Sequence, residues 1–290
     1  LMSQVNKVLS ENKIAYIKWD HNKFLLEPAS GDVPAVHKQT EAIYRFFDEL
    51  KQRHPGIEIE SCASGGGRID LGMTQHADRF WTSDCNDAAD RQRIQRYTQF
   101  AIPPELLGSH IGPTKSHTTL RVHELSFRAV TALFGHAGLE WDITQCSEDE
   151  LTQLASWATY YKQNRDLIHS GSMVRVDRVD DESFVHGVVA LDQRKAIFAY
   201  ATLGTQAGSR PAGIRFAGLD ENLSYRVRAV FPAGEPRYLQ RAQVSWLSGV
   251  ELSGSALMRM GLRAPILFPD NAFLIAVSYT HLTLPTNREV

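Results

Sequence analysis

The run Ile14-Ala-Tyr-Ile-Lys-Trp-Asp20 constrains the fold of this chain more than any other segment. It is a short apolar stretch that ends in charged residues, with polar residues next and helical patterns on both sides. Such a run is typical of a buried parallel strand, and a carboxylate at its end lies at the rim of the sheet, where α/β enzymes keep catalytic groups. An aspartate that caps the following helix is the alternative for this segment alone.

A second region repeats the pattern. The stretch Ile57-Glu-Ile-Glu-Ser-Cys-Ala-Ser-Gly-Gly-Gly-Arg68 predicts a strand that runs into three glycines, whose backbone can approach a ligand closely. Phe80-Trp-Thr-Ser-Asp84 then predicts a strand that also ends in a carboxylate. Two strand-end carboxylates in one sheet suit glycoside hydrolysis, because one can attack the anomeric carbon while the other protonates the leaving oxygen.

Strand and helix patterns alternate as far as about residue 170, which predicts parallel βα units. The helix after Ser147 should begin with a capping box, because Glu150 follows three residues later. From about Gly171 onward, short strand patterns separated by turn residues predict an all-β module, and a sandwich is the simplest arrangement. The predicted strands of this module include segments at 174–177, 185–191, 196–201, 214–216 and 225–230.

Three motifs in this order resemble those of glycoside hydrolase family 36, the melibiase-type α-galactosidases. They are Lys18-Trp19-Asp20, Cys62-Ala-Ser-Gly-Gly-Gly-Arg68 and Trp81-Thr-Ser-Asp84. The resemblance extends over residues 1–277 and is strongest to the bacterial raffinose-cleaving branch. It implies an α/β fold with a partial (β/α)₈ TIM barrel, from about the fourth strand to the eighth, followed by an all-β C-terminal sandwich domain.

The same resemblance sets the expected domain organisation. Residues 1–170 are expected to be the C-terminal part of the catalytic barrel, and residues 171–277 the β-sandwich domain. Residues 278–290 do not resemble the family and look like a translated sequencing adaptor, so we expect a non-native tail. A genuine polar C-terminal tail is the alternative. The chain is therefore expected to be a fragment of a longer protein.

The resemblance assigns the two central catalytic roles. It makes Asp20 the nucleophile that forms a covalent glycosyl-enzyme intermediate, and Asp84 the general acid/base, which must be protonated at rest and is expected to be partly buried. Asp87 competes for the second role, but it fits the first turn of the next helix, whereas Asp84 is expected to end a strand. Lys18 lies on the same strand face as Asp20, so it should donate to sugar hydroxyls and lower the pKa of Asp20.

Four further residues are expected around the sugar. Cys62 and Gly65 match family positions near the sugar 2-hydroxyl, although Cys62 also fits a small buried hydrophobe. Trp81 is a candidate for lining the cleft, with a core aromatic as its alternative. His110 is a candidate on a rim loop, with a simple loop hydrogen bond as its alternative.

Two supporting interactions are also predicted. Trp19 points away from Lys18 and Asp20 on its strand, so it should pack between strand and helix. Asp70 is expected to pair with Arg68 as structural support.

Composition excludes several other classes of function. The net charge of −2 gives no electrostatic basis for nucleic-acid or anionic-membrane binding. Three cysteines, without pairing or metal-type spacing, suit a reducing compartment, so we expect a cytoplasmic protein. The eleven histidines form no ligand-type cluster with carboxylates, and the expected chemistry needs no metal or other cofactor.

The expected function is hydrolysis of terminal α-D-galactosyl residues with retention, on oligosaccharides of the melibiose or raffinose type. The resemblance also implies a homo-oligomer, a tetramer in this family. An α-N-acetylgalactosaminidase or a transglycosylase of the same family is one alternative, although Cys62 and Gly65 favour a plain 2-hydroxyl. An inactive, truncated carbohydrate-binding fragment is the alternative from a different class.

Overall fold

The computed structural model describes residues 1–22, 29–178, 181–206, 208–240 and 244–280. The chain divides into two compact units, Leu1–Cys85 with Tyr97–Gly108, and Asn86–Arg96 with Ser109–Val290.

Strands and helices alternate along the first 170 residues. The strands are β1 (Tyr16–Asp20), β2 (Ala29–Ser30), β3 (Val33–Pro34), β4 (Glu58–Cys62), β5 (Arg79–Trp81), β6 (Leu107–Ile111) and β7 (His136–Leu139). The helices are α1 (Met2–Glu11), α2 (Val36–Arg53), α3 (Ala88–Thr98), α4 (Leu125–Ala132) and α5 (Glu148–Ser170).

Five of these strands form one sheet in the order β1-β4-β5-β6-β7. The pairs β1–β4, β4–β5 and β5–β6 are parallel. Lys18 is the direct partner of Glu60 and Asp20 is the direct partner of Cys62. Because direct partners in a sheet share a face, this register places all four side chains on one side of the two strands.

The opposite face of β1 belongs to the core of the first unit. Trp19 packs against Phe46 and Phe47 of α2, with ring centroids 4.7 and 6.3 Å apart. Phe47 and Ile59 are completely buried in this cluster. The predicted role of Trp19 as packing between strand and helix is confirmed.

Strand β5 is shorter than the sequence pattern predicts. It ends at Trp81, so the prediction that Asp84 ends the strand is wrong. Gly65 and Gly66 lie against the backbone of residues 82 and 83, and a Cβ on Gly66 would be 2.6 Å from the Thr82 carbonyl oxygen. The glycine loop therefore contacts the chain at the point where the strand ladder stops.

One of the next two helices starts later than the sequence predicts, and the other lies where its apolar residues predict it. Helix α3 begins at Ala88, so Asp87 precedes its first turn. Helix α4 begins at Leu125, in agreement with the apolar spacing of Leu125, Phe127 and Val130. Before α4 the chain turns back on itself, with an isolated antiparallel bridge between Lys115 and Val122.

After α5 the chain forms an antiparallel sheet. Its strands are β8 (Ser172–Val176), β9 (Ser183–Val189), β10 (Lys195–Thr202), β11 (Ser224–Val230), β12 (Val250–Ser253) and β13 (Asn271–Tyr279), with a short helix α6 (Gly254–Arg259) between the last two. Their order is β12-β11-β13-β10-β9-β8. The strand predicted at Ile214 is wrong, because that residue makes only an isolated bridge with Leu262.

Both faces of this sheet are buried. One face packs on α4 and α5, where Ile197 and Leu274 join Phe127, Trp157 and Ile168. The other face packs on the non-strand segments that follow β10, β11 and β12; these buried residues are Ile214, Phe216, Leu219, Trp246, Leu247, Leu257, Leu262, Ala264 and Leu267. A parallel sheet with helices followed by an antiparallel all-β sheet confirms the predicted fold class.

Strand β13 continues past the expected end of the natural sequence. Ser278 pairs with Lys195, Tyr279 pairs with Tyr225, and the amide of Thr280 donates to the Ser224 carbonyl at 2.9 Å. The other residues of the predicted non-native tail, 281–290, lie outside the described residues, as do residues 23–28 of the loop predicted after β1. Within the described ranges, none of the helices combines the length and hydrophobicity that a membrane crossing needs.

The capping box predicted at the start of α5 is present. The Ser147 hydroxyl accepts from the Glu150 amide at 3.2 Å, and the Glu150 carboxylate accepts from the Ser147 amide at 2.9 Å. Ser147→Ala should lower the free energy of unfolding by about 0.5–2 kcal/mol, because one helix N–H loses its acceptor. Urea unfolding monitored by circular dichroism measures the change. Ser156→Ala, at an exposed position within the same helix, is the control, and equal destabilisation by both would contradict the capping role.

Candidate active site

Asp20 lies at the carboxyl end of β1 with its side chain exposed. Its carboxylate accepts a hydrogen bond from the Asn22 amide nitrogen at 3.0 Å. Partial burial acts to raise its pKa, but hydrogen bonds from Cys62, Asn22 and the His21 amide, together with the charge of Lys18, hold the pKa below its ordinary value. The prediction that Lys18 lowers the pKa of Asp20 is confirmed in direction, and the carboxylate is ionised at neutral pH.

Cys62 is completely buried opposite Asp20 in the strand ladder. Burial raises the pKa of its thiol to about 11, and the hydrogen bond to Asp20 acts in the same direction. The thiol is therefore protonated at neutral pH and donates to the Asp20 carboxylate. It is a free cysteine, and its burial confirms the expected small buried side chain.

Lys18 is held between an aromatic ring and a buried carboxylate. Its Nζ lies 4.2 Å from the centroid of the Trp81 ring and 3.7 Å from Oε1 of Glu60. The Lys18 side chain is still 36% exposed, so the ammonium can reach a ligand. Trp81 itself is buried, which favours the core-aromatic alternative for its ring.

Gly65 brings the glycine loop against the segment that carries Asp84. Its φ is +78°, and a Cβ there would lie 2.5 Å from Ser83 Cα and 2.9 Å from the Asp84 amide nitrogen. Only glycine fits this position, because it needs both the left-handed conformation and the space. The Trp81 indole N–H donates to Asp84 Oδ1 at 3.2 Å. The Asp84 side chain is exposed, so the expectation of partial burial is wrong.

Two residues of this cluster were not predicted as site residues. Asn22 donates to Asp20, and its carbonyl oxygen accepts from the Ser64 amide at 2.7 Å, which connects the end of β1 to the glycine loop. Glu60 is buried beside Lys18. The available sequence signal for Glu60 was its spacing of two from Cys62, which places both side chains on one strand face.

Asp87, the competing acid/base, has a structural role in the second unit. Its buried carboxylate accepts from the amides of Ala89 and Asp90 at 2.9 and 3.2 Å, and from Arg121 Nε at 2.7 Å and the Thr119 hydroxyl. Burial acts to raise its pKa, yet the Thr119 and backbone hydrogen bonds and the charges of His123 and Arg121 hold it below the ordinary value. Asp87 is thus an ionised helix cap with its oxygens fully engaged.

The predicted pair between Asp70 and Arg68 is wrong. Asp70 Oδ1 accepts from the Tyr44 hydroxyl and from the Met73 amide, both at 2.7 Å. Arg68 instead donates to the Cys62 carbonyl oxygen at 3.0 Å. Each side chain thus satisfies a backbone group nearby, which a loop of this length offers more readily than a mutual ion pair.

His110 lies within strand β6 of the second unit, so the predicted rim-loop position is wrong. Its Nδ1 is 3.6 Å from Glu140 Oε2. The hydrogen bond with His110 is the largest of the effects that lower the pKa of Glu140. The other six predicted site residues, Lys18, Asp20, Cys62, Gly65, Trp81 and Asp84, are connected within the first unit by the contacts given above.

The close contact at Gly65 gives a testable prediction. Gly65→Ala should destabilise the fold by about 1–3 kcal/mol beyond the cost of its positive φ, because the new methyl group must displace backbone atoms. Gly56→Ala is the matched control, since Gly56 also has a positive φ (+89°) but nothing lies within 4 Å of its Cβ position. Chemical denaturation of both variants measures the difference. Equal losses would show that the contact with Ser83 and Asp84 carries no free energy.

Comparisons with known proteins agree with this geometry. The family model described as melibiase matches residues 1–171, and the model of the glycosyl hydrolase family 36 C-terminal domain matches residues 184–272. An α-galactosidase from Escherichia coli is 40% identical over 276 residues, which cover 93% of this chain and 39% of the relative. The chain thus spans about two fifths of the length of this curated relative.

Solved structures give the same result. The family 36 α-galactosidase AgaA of Geobacillus stearothermophilus, in complex with raffinose, superposes with a TM-score of 0.84 at 28% identity, over 96% of this chain and 37% of that chain. The galactosidase domain of the α-galactosidase–sucrose kinase AgaSK gives a TM-score of 0.82 at 28% identity, over 96% and 36%. Since the melibiase model alone matches more than half of the chain, the chain belongs to the melibiase family, glycoside hydrolase family 36.

Proposed function

We propose that the protein to which this chain belongs hydrolyses terminal α-D-galactosyl residues of oligosaccharides with retention of configuration. Asp20 is the nucleophile and Asp84 the general acid/base. Lys18, Cys62, Gly65 and His110 are the proposed substrate-binding residues, and the buried Trp81 ring supports Lys18. The chain corresponds to about 39% of the length of the E. coli relative, so the proposal concerns the whole protein.

The observation that carries this proposal is the short stretch between Cys62 and Gly65. Its first residue bonds to Asp20 and its last lies against the backbone of Asp84, so four consecutive residues contact both carboxylate-bearing segments. Two carboxyl groups supported in this way by one loop suit a reaction that needs an attacking carboxylate and a proton donor at one glycosidic bond.

The two carboxyl groups have different surroundings. Asp20 is surrounded by donors and by the ammonium of Lys18, which keep it ionised for attack on the anomeric carbon. The partner of Asp84 is the neutral indole N–H of Trp81. Asp84 gives its proton to the leaving oxygen, and its carboxylate then accepts a proton from the water that releases galactose.

The relatives and the small side chains at the site support the proposed substrate class. AgaA is described in complex with raffinose, which supports galactosides of the melibiose and raffinose type for this protein. Gly65 presents no side chain beside Cys62, and the thiol is small, which suits a 2-hydroxyl better than a 2-acetamido group. Comparison of 4-nitrophenyl α-galactoside with its N-acetylated analogue separates galactosidase from N-acetylgalactosaminidase activity.

Three expectations from the sequence remain part of the proposal. We infer a barrel domain over residues 1–170 and a β-sandwich domain over residues 171–277. We also infer a reducing compartment and a homotetramer. Light scattering on the full-length protein would test the tetramer.

Replacement of each proposed catalytic residue gives the most direct test. Asp20→Gly should abolish turnover of 4-nitrophenyl α-galactoside, and azide should restore it with formation of a galactosyl azide, because the small anion occupies the space of the lost nucleophile. Asp84→Asn should lower kcat by about 10²–10⁴-fold. Asp149→Asn, at an exposed position on α5, is the control. Near-normal activity of either active-site variant would contradict its assigned role.

Retention is a separate prediction with its own measurement. Proton NMR during the first minutes of hydrolysis should show the α anomer of galactose before mutarotation, since two successive displacements restore the original configuration. Initial release of the β anomer would exclude a covalent intermediate on Asp20.

The hydrogen bond from Cys62 predicts a change in pH dependence. The thiol stabilises the ionised form of Asp20 and so lowers the pKa of the carboxyl. Cys62→Ala removes this donor, so the pKa of Asp20 should rise and the acid limb of the kcat/KM profile should move to higher pH. Asn22→Ala removes another donor and should move the limb in the same direction. An acid limb that moves to lower pH in either variant would contradict this assignment.

A further inference from the structure

Glu60 is a buried carboxylate at the centre of β4, only 1% exposed as a whole residue. It is the direct ladder partner of Lys18, one pair before Asp20 and Cys62. An ionised carboxylate removed from water is costly unless charge or hydrogen bonds compensate for it. The partners of Glu60 therefore indicate why the residue is there.

Its two oxygens have different surroundings. Oε2 accepts a hydrogen bond from the Tyr16 hydroxyl at 2.7 Å. Burial, and then this bond, raises the pKa of the Tyr16 phenol, so the hydroxyl remains a donor. Oε1 is buried without a hydrogen-bond partner among the described residues, and Lys18 Nζ lies 3.7 Å from it. The free acceptor of Glu60 thus faces the ammonium group.

The neighbouring strands leave space for this arrangement. A Cβ at Gly108 on β6 would lie 2.8 Å from Glu60 Oε2 and 3.2 Å from Cε3 of Trp81. The Trp81 ring in turn lies under the Lys18 ammonium at 4.2 Å from its centroid. Three adjacent strands therefore contribute to one built pocket for the lysine head group.

Two carboxylates attract the same ammonium group. Lys18 lies two residues before Asp20 on the same strand face, and its positive charge lowers the pKa of the Asp20 carboxyl. A lysine without a second partner could close onto Asp20 as a full ion pair, which would block both groups from a substrate. Glu60 and the Trp81 ring provide a competing position for the ammonium, 3.7 Å from Glu60 Oε1 and 4.2 Å from the ring centroid.

We propose that Glu60 is a positioning residue, which holds the Lys18 ammonium against the Trp81 ring so that Lys18 is presented to the galactosyl hydroxyls and Asp20 stays free to attack. This inference rests on the proposed function. A purely structural carboxylate that serves only as the acceptor for Tyr16 is the competing explanation.

Kinetics of the full-length protein distinguish the two explanations. Glu60→Gln keeps the shape but removes the charge, so KM for 4-nitrophenyl α-galactoside should rise roughly tenfold, as for the loss of one charged hydrogen bond to substrate. Tyr16→Phe is the matched control, because it removes the other partner of Glu60 and leaves Oε1 facing Lys18. Its KM should stay within about twofold of the unsubstituted value. Equal effects of both variants on KM would support the structural explanation.

Chemical labelling tests the same inference without activity. Acetylation of Lys18, measured by mass spectrometry relative to Lys7, whose side chain is 72% exposed, should be slow in the unsubstituted protein. The ratio should rise severalfold in Glu60→Gln and stay unchanged in Tyr16→Phe. Glu60→Asp keeps the charge but moves it away from Lys18 by one methylene, so its ratio of Lys18 to Lys7 acetylation should be intermediate. This variant tests the inference even if Glu60→Gln folds poorly.

The outcomes separate this inference from the proposed function. If the protein hydrolyses no α-galactoside but Lys18 labelling responds to Glu60, the function fails and the pairing with Glu60 stands. If Lys18 reacts as fast as Lys7 in the unsubstituted protein, or equally in the protein and Glu60→Gln, the positioning role of Glu60 is overturned.

Discussion

The parallel register between β1 and β4 is the constraint on which the candidate site depends. It pairs Lys18 with Glu60 and Asp20 with Cys62 on one face of the sheet. A shift of one residue would turn these side chains to the face where Trp19 packs on α2. The packing of Trp19 and Ile59 in the core therefore also determines which polar groups meet on the other side. The chemistry of the site is in this sense a consequence of how the apolar residues alternate.

The glycine loop adds the second constraint, which is steric. Strand pairing alone positions β5 as far as Trp81, and Asp84 lies beyond its end. Two contacts position the carboxylate there: the Trp81 indole N–H, and the backbone of Gly65 against Ser83 and the Asp84 amide. Since neither contact belongs to a regular ladder, the position of Asp84 depends on the loop sequence rather than on the strand pattern.

Much of this arrangement could be predicted from sequence, and the remainder has physical reasons for being missed. Strands β1 and β4 and the capping box of α5 were correctly predicted, because local periodicity and cap chemistry determine them. Strand β13 was not predicted. Most of its nine residues are buried on both faces, so the apolar–polar alternation that marks a half-buried strand is missing.

The polar partners were harder to predict than the elements that carry them. The sequence predicts that Asp70 pairs with Arg68, whereas Asp70 accepts from Tyr44 and Arg68 donates to the Cys62 carbonyl oxygen. In the sequence, Glu60 is an ordinary polar residue in an alternating strand pattern. Only the strand register shows that it is the direct partner of Lys18. Lys18 and Glu60 lie more than forty positions apart in the sequence, and no local pattern contains that pairing.

The distribution of burial within the cluster gives a final physical argument about how the site works. The two carboxyl groups proposed to react, Asp20 and Asp84, are exposed, whereas the groups that hold their surroundings, Cys62, Glu60 and Trp81, are buried. Electrostatic interactions are stronger where water is excluded, so the buried groups can orient Lys18 and tune Asp20 more effectively than surface groups could. The exposed groups remain accessible to a sugar. Because the cost of burying Glu60 is met by Tyr16 and Lys18 in the folded sheet, the positioning of the reactive groups is linked directly to the formation of the β1–β4 ladder.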